Sequence, residues 1–142
     1  MLALIPLPQE VHRLSAESIA NRRLVAQKFA QAALERIEVD SELLDLTSAY
    51  RRDPEAETEQ LRLSRASIHP QLPVELECIL ALLILSNYEH IQRGNLLKMA
   101  ARTSQALLMA KGMSLHRQGP QFNKYTESRR RAWWMTVRMN TI

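Results

Sequence analysis

The chain has 142 residues, of which 46% are hydrophobic and 24% charged, and it contains only three glycines and six prolines. This composition predicts one soluble, mainly helical domain and argues against a β-rich or disordered chain. The single cysteine excludes an internal disulfide framework and favours a reducing compartment.

The formal net charge of +4 conceals a division of the chain into two oppositely charged parts. Residues 93–142 hold ten Lys or Arg and one acid, a net charge of +9, whereas residues 1–92 carry a net charge of −5. We expect the two parts to attract each other within the fold. A nucleic-acid-binding patch is the alternative, but the basic residues are spread over several predicted helix faces.

The N-terminal part predicts an extension over residues 1–14, followed by a helix. The extension is apolar but lacks a basic region and is broken by Pro6 and Pro8, so it does not resemble a signal peptide. Ser15 is a good helix N-cap, with Leu14 and Ile19 spaced as a hydrophobic staple. The predicted buried stripe of this helix comprises Ala26, Phe29, Ala30, Ala33 and Ile37.

A second, short helix is predicted from Asp40 or Ser41 to Tyr50. Its apolar residues are Leu43, Leu44 and Leu46. The pair Asp53-Pro54 then predicts a cap and a new start, followed by acidic first turns. The polar segment to Ala66 is either an exposed helix or a partly ordered connection, and residues 67–73 read as a linker.

A central helix is predicted over residues 74–92. Pro73 suits a helix start, and the run from Cys78 to Leu85 is apolar on all sides, so we expect this helix to be buried. A buried strand is the alternative, which the length and the capping signals disfavour. Gly94 is a natural left-handed stop, and the helix is too short to cross a bilayer.

A third helical pattern runs from Asn95 to Lys111, with Asn95 as its N-cap and Gly112 as its predicted end. The short connection through Gly94 predicts an antiparallel hairpin with the central helix. The predicted inward positions are Leu96, Met99, Ala100, Thr103, Ala106, Leu107 and Ala110.

The last predicted helix begins near Thr126 and contains three arginines followed by both tryptophans of the chain, Trp133 and Trp134. A cationic surface for nucleic acid or membrane is one interpretation. We favour a structural one, in which at least one arginine pairs with Glu89 or Glu127 and both rings cover the hairpin. The apolar positions occupy more than one face, which predicts an exposed apolar seam, protein or intramolecular partners and self-association. These positions are Ala132, Trp133, Met135, Val137 and Met139.

Four sequence blocks together resemble a known family. They are Leu85-Ser86-Asn87-Tyr88-Glu89, Arg93-Gly94-Asn95, Gly112-Met113-Ser114-Leu115-His116-Arg117 and Glu127-Ser128-Arg129-Arg130-Arg131-Ala132-Trp133-Trp134. In this order they resemble the fungal-specific transcription factor domain, the middle homology region of fungal zinc binuclear cluster regulators. The resemblance is strongest over residues 74–139 and makes residues 15–142 the N-terminal portion of such a domain.

The resemblance implies transcriptional regulation in the nucleus, without catalysis. Asn140 stands where the family usually has an aspartate. The family's zinc cluster needs six cysteines and this chain has only Cys78, so no zinc site and no direct DNA contact are expected. A stand-alone helical protein-interaction module without a transcriptional role is the alternative function.

No catalytic, cofactor-binding or metal-ligating residue is predicted from the sequence. The histidines share no metal-ligand spacing with each other or with Cys78, which reads as a small core residue. These histidines are His12, His69, His90 and His116. The glycines are isolated, so no nucleotide-binding loop is present in the sequence. The predicted fold is therefore an all-α, antiparallel helical array built around a buried helical hairpin, without an enzymatic function and without a membrane partner.

Overall fold

A computed structural model describes residues 16–50, 66–117 and 123–141. In these ranges the chain forms four helices and no strand, which confirms the all-α prediction. The helices are α1 (Ala16–Tyr50), α2 (Val74–Ile91), α3 (Leu96–Gly112) and α4 (Thr126–Asn140).

Helix α2 forms the centre of the array. Its side chains at Leu76, Ile79, Leu82 and Leu83 are almost completely inaccessible to solvent, as the apolar run predicted. Helices α1, α3 and α4 all pack against it, and α3 and α4 also pack against each other. A helix that is apolar on all sides is stable in water only when neighbours cover every face, which explains its central place.

The turn between α2 and α3 was predicted correctly. Gly94 adopts a left-handed conformation with φ of 60°, which glycine reaches without the steric cost of a Cβ. The Asn95 backbone N–H donates to the Glu89 carbonyl at 2.8 Å, and the Asn95 side chain accepts from the Lys98 N–H at 2.9 Å. The backbone and side chain of Asn95 therefore satisfy hydrogen-bonding groups at both the end of α2 and the start of α3.

Helix α3 ends at Gly112, as predicted. The left-handed conformation that commonly follows a helix is shifted to Ser114, with φ of 55°. The Leu115 N–H donates to the Ala110 carbonyl at 3.0 Å and the Ser114 N–H to the Lys111 carbonyl at 2.9 Å, which is the Schellman pattern. The buried side chain of Leu115 explains the shift, because its burial fixes where the chain leaves the helix.

Helix α1 is longer than predicted, since it continues through Asp40 and Ser41 to Tyr50. Ser41 donates its hydroxyl to the Glu38 carbonyl at 2.8 Å, and Asp40 pairs with Arg36 at 3.0 Å, so both bond within the helix instead of capping a new one. Ala30 and Ile37 are buried as predicted, but Phe29 is 41% exposed.

Several predictions concern residues outside the described ranges. These are the extension over residues 1–14, the staple residue Leu14, the cap Ser15 and the start at Asp53-Pro54. The side chains of Leu43, Leu44 and Leu46 are likewise outside the description.

The connection that precedes α2 ties the helices together. Residues 66–73 contain no helix, in agreement with the predicted linker. The Ile68 N–H donates to Glu77 Oε1 at 2.7 Å, and the Ser128 hydroxyl donates to the Gln71 carbonyl. The start of α4 is therefore held next to the start of α2, which fixes the direction in which the faces of α4 point.

Candidate protein-interaction surface

The two tryptophans of α4 lie in different environments. Ala132 and Thr136 are buried and mark the inward face of the helix. Trp133 is partly buried against the core, and its ring lies 5.7 Å from the His116 ring, centroid to centroid. Trp134 is 62% exposed, because consecutive helical residues point about 100° apart. The expectation that both rings cover the hairpin is thus wrong for Trp134.

The arginines next to Trp134 are held by one carboxylate. Arg131 Nε lies 2.6 Å from Glu127 Oε1, and Arg130 Nε lies 2.9 Å from Glu127 Oε2. This confirms the predicted pairing of an arginine with Glu127. Hydrogen bonds from Arg131 first and Arg130 second hold the pKa of Glu127 below its usual range. The Glu127 side chain is exposed, so water screens these ion pairs, and their main effect is to orient the two guanidinium groups.

These side chains form a continuous surface, which we call the Trp134 face. Arg130 and Arg131 precede Trp134 by about one helical turn, and Arg138 follows it by about one turn, so all lie beside the ring. Met135 adds an apolar side chain that is 50% exposed. The face comprises Arg130, Arg131, Trp134, Met135 and Arg138. Its combination of an exposed aromatic with several guanidinium groups is typical of binding surfaces rather than of bare solvent-facing helices.

A second exposed apolar feature lies on α3, and we call it the α3 stripe. Leu97 is 82% exposed and Leu108 is 69% exposed, and the exposed small residues Ala101 and Ser104 lie between them on the same helix face. The α3 stripe comprises Leu97, Ala101, Ser104 and Leu108. It lies roughly opposite the buried face of α3, since the spacing places the two sets on opposite sides of a 3.6-residue helix. The buried face consists of Thr103, Ala106 and Ala110.

The inward stripe that the sequence predicted for α3 is correct only in part. Leu96 and Ala100 are exposed, whereas Met99 and Leu107 are partly buried. The small side chains at Ala106 and Ala110 let α2 approach closely and leave no room for larger residues on that face. The outward leucines could have been found in the sequence, because Leu97, Ala101, Ser104 and Leu108 follow a helical spacing of their own.

The helices that carry the two features both have a positive net charge. Helix α3 contains Lys98, Arg102 and Lys111 and no acidic residue. Helix α4 contains four arginines and one acid, Glu127. A surface with this balance attracts acidic partners and repels basic ones.

A cluster of buried polar groups lies at the end of α2. Glu89 is buried, and its Oε1 lies 3.4 Å from Arg93 Nη1, while Oε2 has no hydrogen-bond partner within the described part of the chain. Burial is the main reason that the pKa of Tyr88 is raised above its ordinary value, with Arg93 opposing the shift and Glu89 adding to it. Tyr88 and Glu89 are buried, and only the Arg93 side chain of this cluster reaches solvent, so the cluster presents no accessible carboxylate or phenol.

The cysteine and the histidines do not form a metal site in the part of the chain that the structure describes. Cys78 is buried in the core. Across residues 16–50, 66–117 and 123–141, no group of three or more His, Cys, Asp or Glu side chains is arranged to hold a metal ion. His69, His90 and His116 therefore belong to no such group, and His12 is outside the described residues. None of the helices in these ranges has both the length and the apolar character needed to cross a membrane.

Comparison with known proteins adds no relative. No family model, no curated protein and no solved structure matches this chain. The two exposed features are therefore the observations on which a function can be argued.

Proposed function

We propose that this chain is a non-catalytic, protein-binding helical module that acts as a regulatory region in transcription, in the nucleus. The observation that carries the protein-binding part is the α3 stripe. The transcriptional part rests on the sequence resemblance described above.

The argument for protein binding begins with the two faces of α3. Its buried face packs on α2 and α4, and its opposite face presents two leucines to water. A helix that is apolar on both faces is ordinarily covered on both. Contiguous exposed apolar patches on soluble proteins mark interaction sites, and the small residues Ala101 and Ser104 would let a partner helix approach closely.

The argument for a transcriptional role uses the four family-like blocks. In the structure they take defined structural places, such as the tight turn at Gly94 and the buried Leu115 in the cap after α3. Glu127 at the start of the fourth block holds two arginines of the same block. These contacts give the blocks a structural role in this chain, whereas the transcriptional role is proposed from the sequence resemblance itself.

A reporter assay tests the transcriptional proposal. The whole chain is fused to an unrelated DNA-binding domain and tethered upstream of a reporter gene in a fungal nucleus. We expect reporter output to change, and the double variant Leu97→Lys with Leu108→Lys to abolish the change. The matched control replaces Leu24 and Val39, which are exposed on α1, and should behave like the native chain.

The alternative function, a stand-alone protein-interaction module, predicts a different result. The chain would then bind a protein partner through the α3 stripe, while the tethered fusion would leave reporter output unchanged. Loss of partner binding in the Leu97 and Leu108 double variant, with an unaltered reporter, would favour this alternative over the transcriptional role.

A further inference from the structure

We propose that the Trp134 face binds an acidic amphipathic helix of a protein partner, with Trp134 as the apolar contact and Arg131 and Arg138 as the groups that pair with its carboxylates. This inference rests on the proposed protein-binding function and specifies the class of partner. It concerns α4 and is independent of the α3 stripe.

The apolar part of the interaction follows from the exposure of Trp134. An indole ring buries a large area on contact and loses little conformational freedom, and for this reason Trp and Arg are enriched among the residues that dominate interface energies. Trp133 already covers the core beside His116, so Trp134 is not needed there. Together with Met135, its exposed ring offers apolar area on the solvent side of α4.

The charge of the Trp134 face selects an acidic partner. Arg131 and Arg138 lie on either side of Trp134 along the helix, and Arg138 makes no ion pair with any residue that the structure describes. Guanidinium groups pair with carboxylates through two parallel hydrogen bonds. Arg131 Nε donates to Glu127 Oε1, which favours one orientation of the guanidinium group and so reduces the side-chain freedom that is lost when a partner carboxylate binds.

The shape of the face favours a helix as the binding element. Arg131, Trp134 and Arg138 follow one line along α4 that spans about 10 Å, since a helix rises about 1.5 Å per residue. A second helix lying alongside would present apolar residues to Trp134 and acidic residues to the arginines at successive turns. An extended segment would meet the ring with fewer of its side chains, because alternate residues of a strand point away.

Nucleic acid fits the same face less well. Glu127 already neutralises part of the charge of Arg130 and Arg131, so the cluster of these three residues with Arg138 has a net charge of only +2. Strand-binding proteins use several exposed aromatics on which successive bases stack, whereas Trp134 is the single exposed aromatic of α4. The face suits a short acidic segment better than a polyanion.

A peptide-display selection on the full chain tests the proposal. A library of helix-forming peptides with randomised surface positions is selected on the immobilised protein, and the recovered peptides are titrated by fluorescence anisotropy. We expect them to be enriched in Asp and Glu beside an apolar stripe. Trp134→Ala should weaken binding about tenfold or more, as expected for a residue that dominates an interface.

A pair of arginine variants provides the matched control. Arg138→Gln should weaken binding about threefold or more, whereas Arg129→Gln removes the same charge about 140° around the helix from Trp134 and should leave binding unchanged. Both side chains are exposed, so neither change should unfold the protein. Thermal unfolding of each variant checks this directly.

The outcomes separate this inference from the proposed function. Peptides without acid enrichment that lose binding in the Leu97 and Leu108 double variant would overturn the inference and leave protein binding through α3 intact. Recovery of no binding peptide would count against both. A Trp134-dependent affinity for single-stranded DNA or RNA, or for phosphatidylserine vesicles, exceeding that for every peptide would also overturn it.

Discussion

The rings of His116 and Trp133 lie 5.7 Å apart, centroid to centroid, and are tilted by 45°. His116 follows the buried Leu115 in the cap after α3, while Trp133 is on α4 next to the buried Ala132. The contact therefore joins the end of one helix to the middle of the next. Trp133 lies on the side of α4 that packs on the core, and its neighbour Trp134, about 100° further around the helix, is left on the surface.

The two adjacent tryptophans should differ sharply in their effect on stability. Replacing a fully buried Trp by Ala lowers the free energy of unfolding by about 3–5 kcal/mol. Because Trp133 is only partly buried, Trp133→Ala should lower it by about 2–3 kcal/mol. Trp134→Ala should change the free energy of unfolding by about 0.5 kcal/mol or less, as surface substitutions do. Urea denaturation of both variants measures the difference. Equal losses would contradict the assignment of Trp134 to the surface.

Fluorescence gives an independent check on the same pair. The variant Trp134→Ala retains Trp133, so its fluorescence should have a shorter emission wavelength than that of the native chain and should be quenched less by acrylamide. The variant Trp133→Ala should show emission closer to that of free indole. The native chain should lie between the two.

The glycines at the two ends of α3 should have opposite effects on stability when they are replaced by alanine. Gly94 has φ of 60° and no atom within 4 Å of an added Cβ, so Gly94→Ala should cost about 1–2 kcal/mol from backbone strain alone. Gly112 is helical and also has open space around it, so Gly112→Ala should stabilise by about 0.5–1 kcal/mol. Thermal unfolding measures both. A destabilising Gly112→Ala would contradict the helical conformation of this position.

The sequence predicted most of the fold because its strongest signals are local. The capping residue Asn95, the left-handed Gly94 and the apolar run of α2 specify the hairpin within a few residues. Ser114 was missed because nothing in its side chain requires a positive φ, and the distant packing of Leu115 decides it. The outward direction of Trp134 was missed for a related reason, since only the packing of α4 on α2 and α3 shows which tryptophan is inside.

The pKa of Glu127 should rise when its arginine partners are removed. The native pKa lies below the ordinary value of 4.5 because Arg131, and then Arg130, donate hydrogen bonds to the ionised carboxylate. Arg131→Gln and Arg130→Gln should therefore each raise the pKa, and the double variant should raise it further towards its ordinary value. Carbon-detected NMR titration of the carboxyl group measures each value. An unchanged pKa in the double variant would show that the pairs do not persist in solution.

The sign of the corresponding pH dependence follows from the same shift. Because the folded pKa is lowered, the ion pairs contribute to stability above the ordinary pKa of 4.5 and lose that contribution as the pH falls through the folded value. As the pH falls below 5, the free energy of unfolding should therefore decrease more in the native chain than in the double variant Arg130→Gln with Arg131→Gln. Glu127→Gln should remove the same part of the pH dependence and serves as the control.

The final prediction concerns self-association of the purified chain through the α3 stripe. Leu97 and Leu108 are exposed at the two ends of the stripe, with the small residues Ala101 and Ser104 between them. Exposed apolar patches larger than a few hundred Å² favour association. We expect concentration-dependent sedimentation and binding of a hydrophobic dye, both reduced in the double variant Leu97→Lys with Leu108→Lys.

A matched control decides whether this association depends on the α3 stripe itself or on exposed apolar residues in general. Leu24 and Val39 are also exposed, but they lie on α1, which contacts only α2 among the described helices. The double variant Leu24→Lys with Val39→Lys adds the same charge and should associate and bind dye about as the native chain does. Neither double variant should lower the free energy of unfolding by more than about 1 kcal/mol, because all four side chains are on the surface.

If the native chain is a monomer that binds no dye, the α3 stripe is too small to drive association and the protein-binding proposal loses its main support. If the α1 variant alone prevents association, the interacting surface is on α1 and the assignment to α3 is wrong.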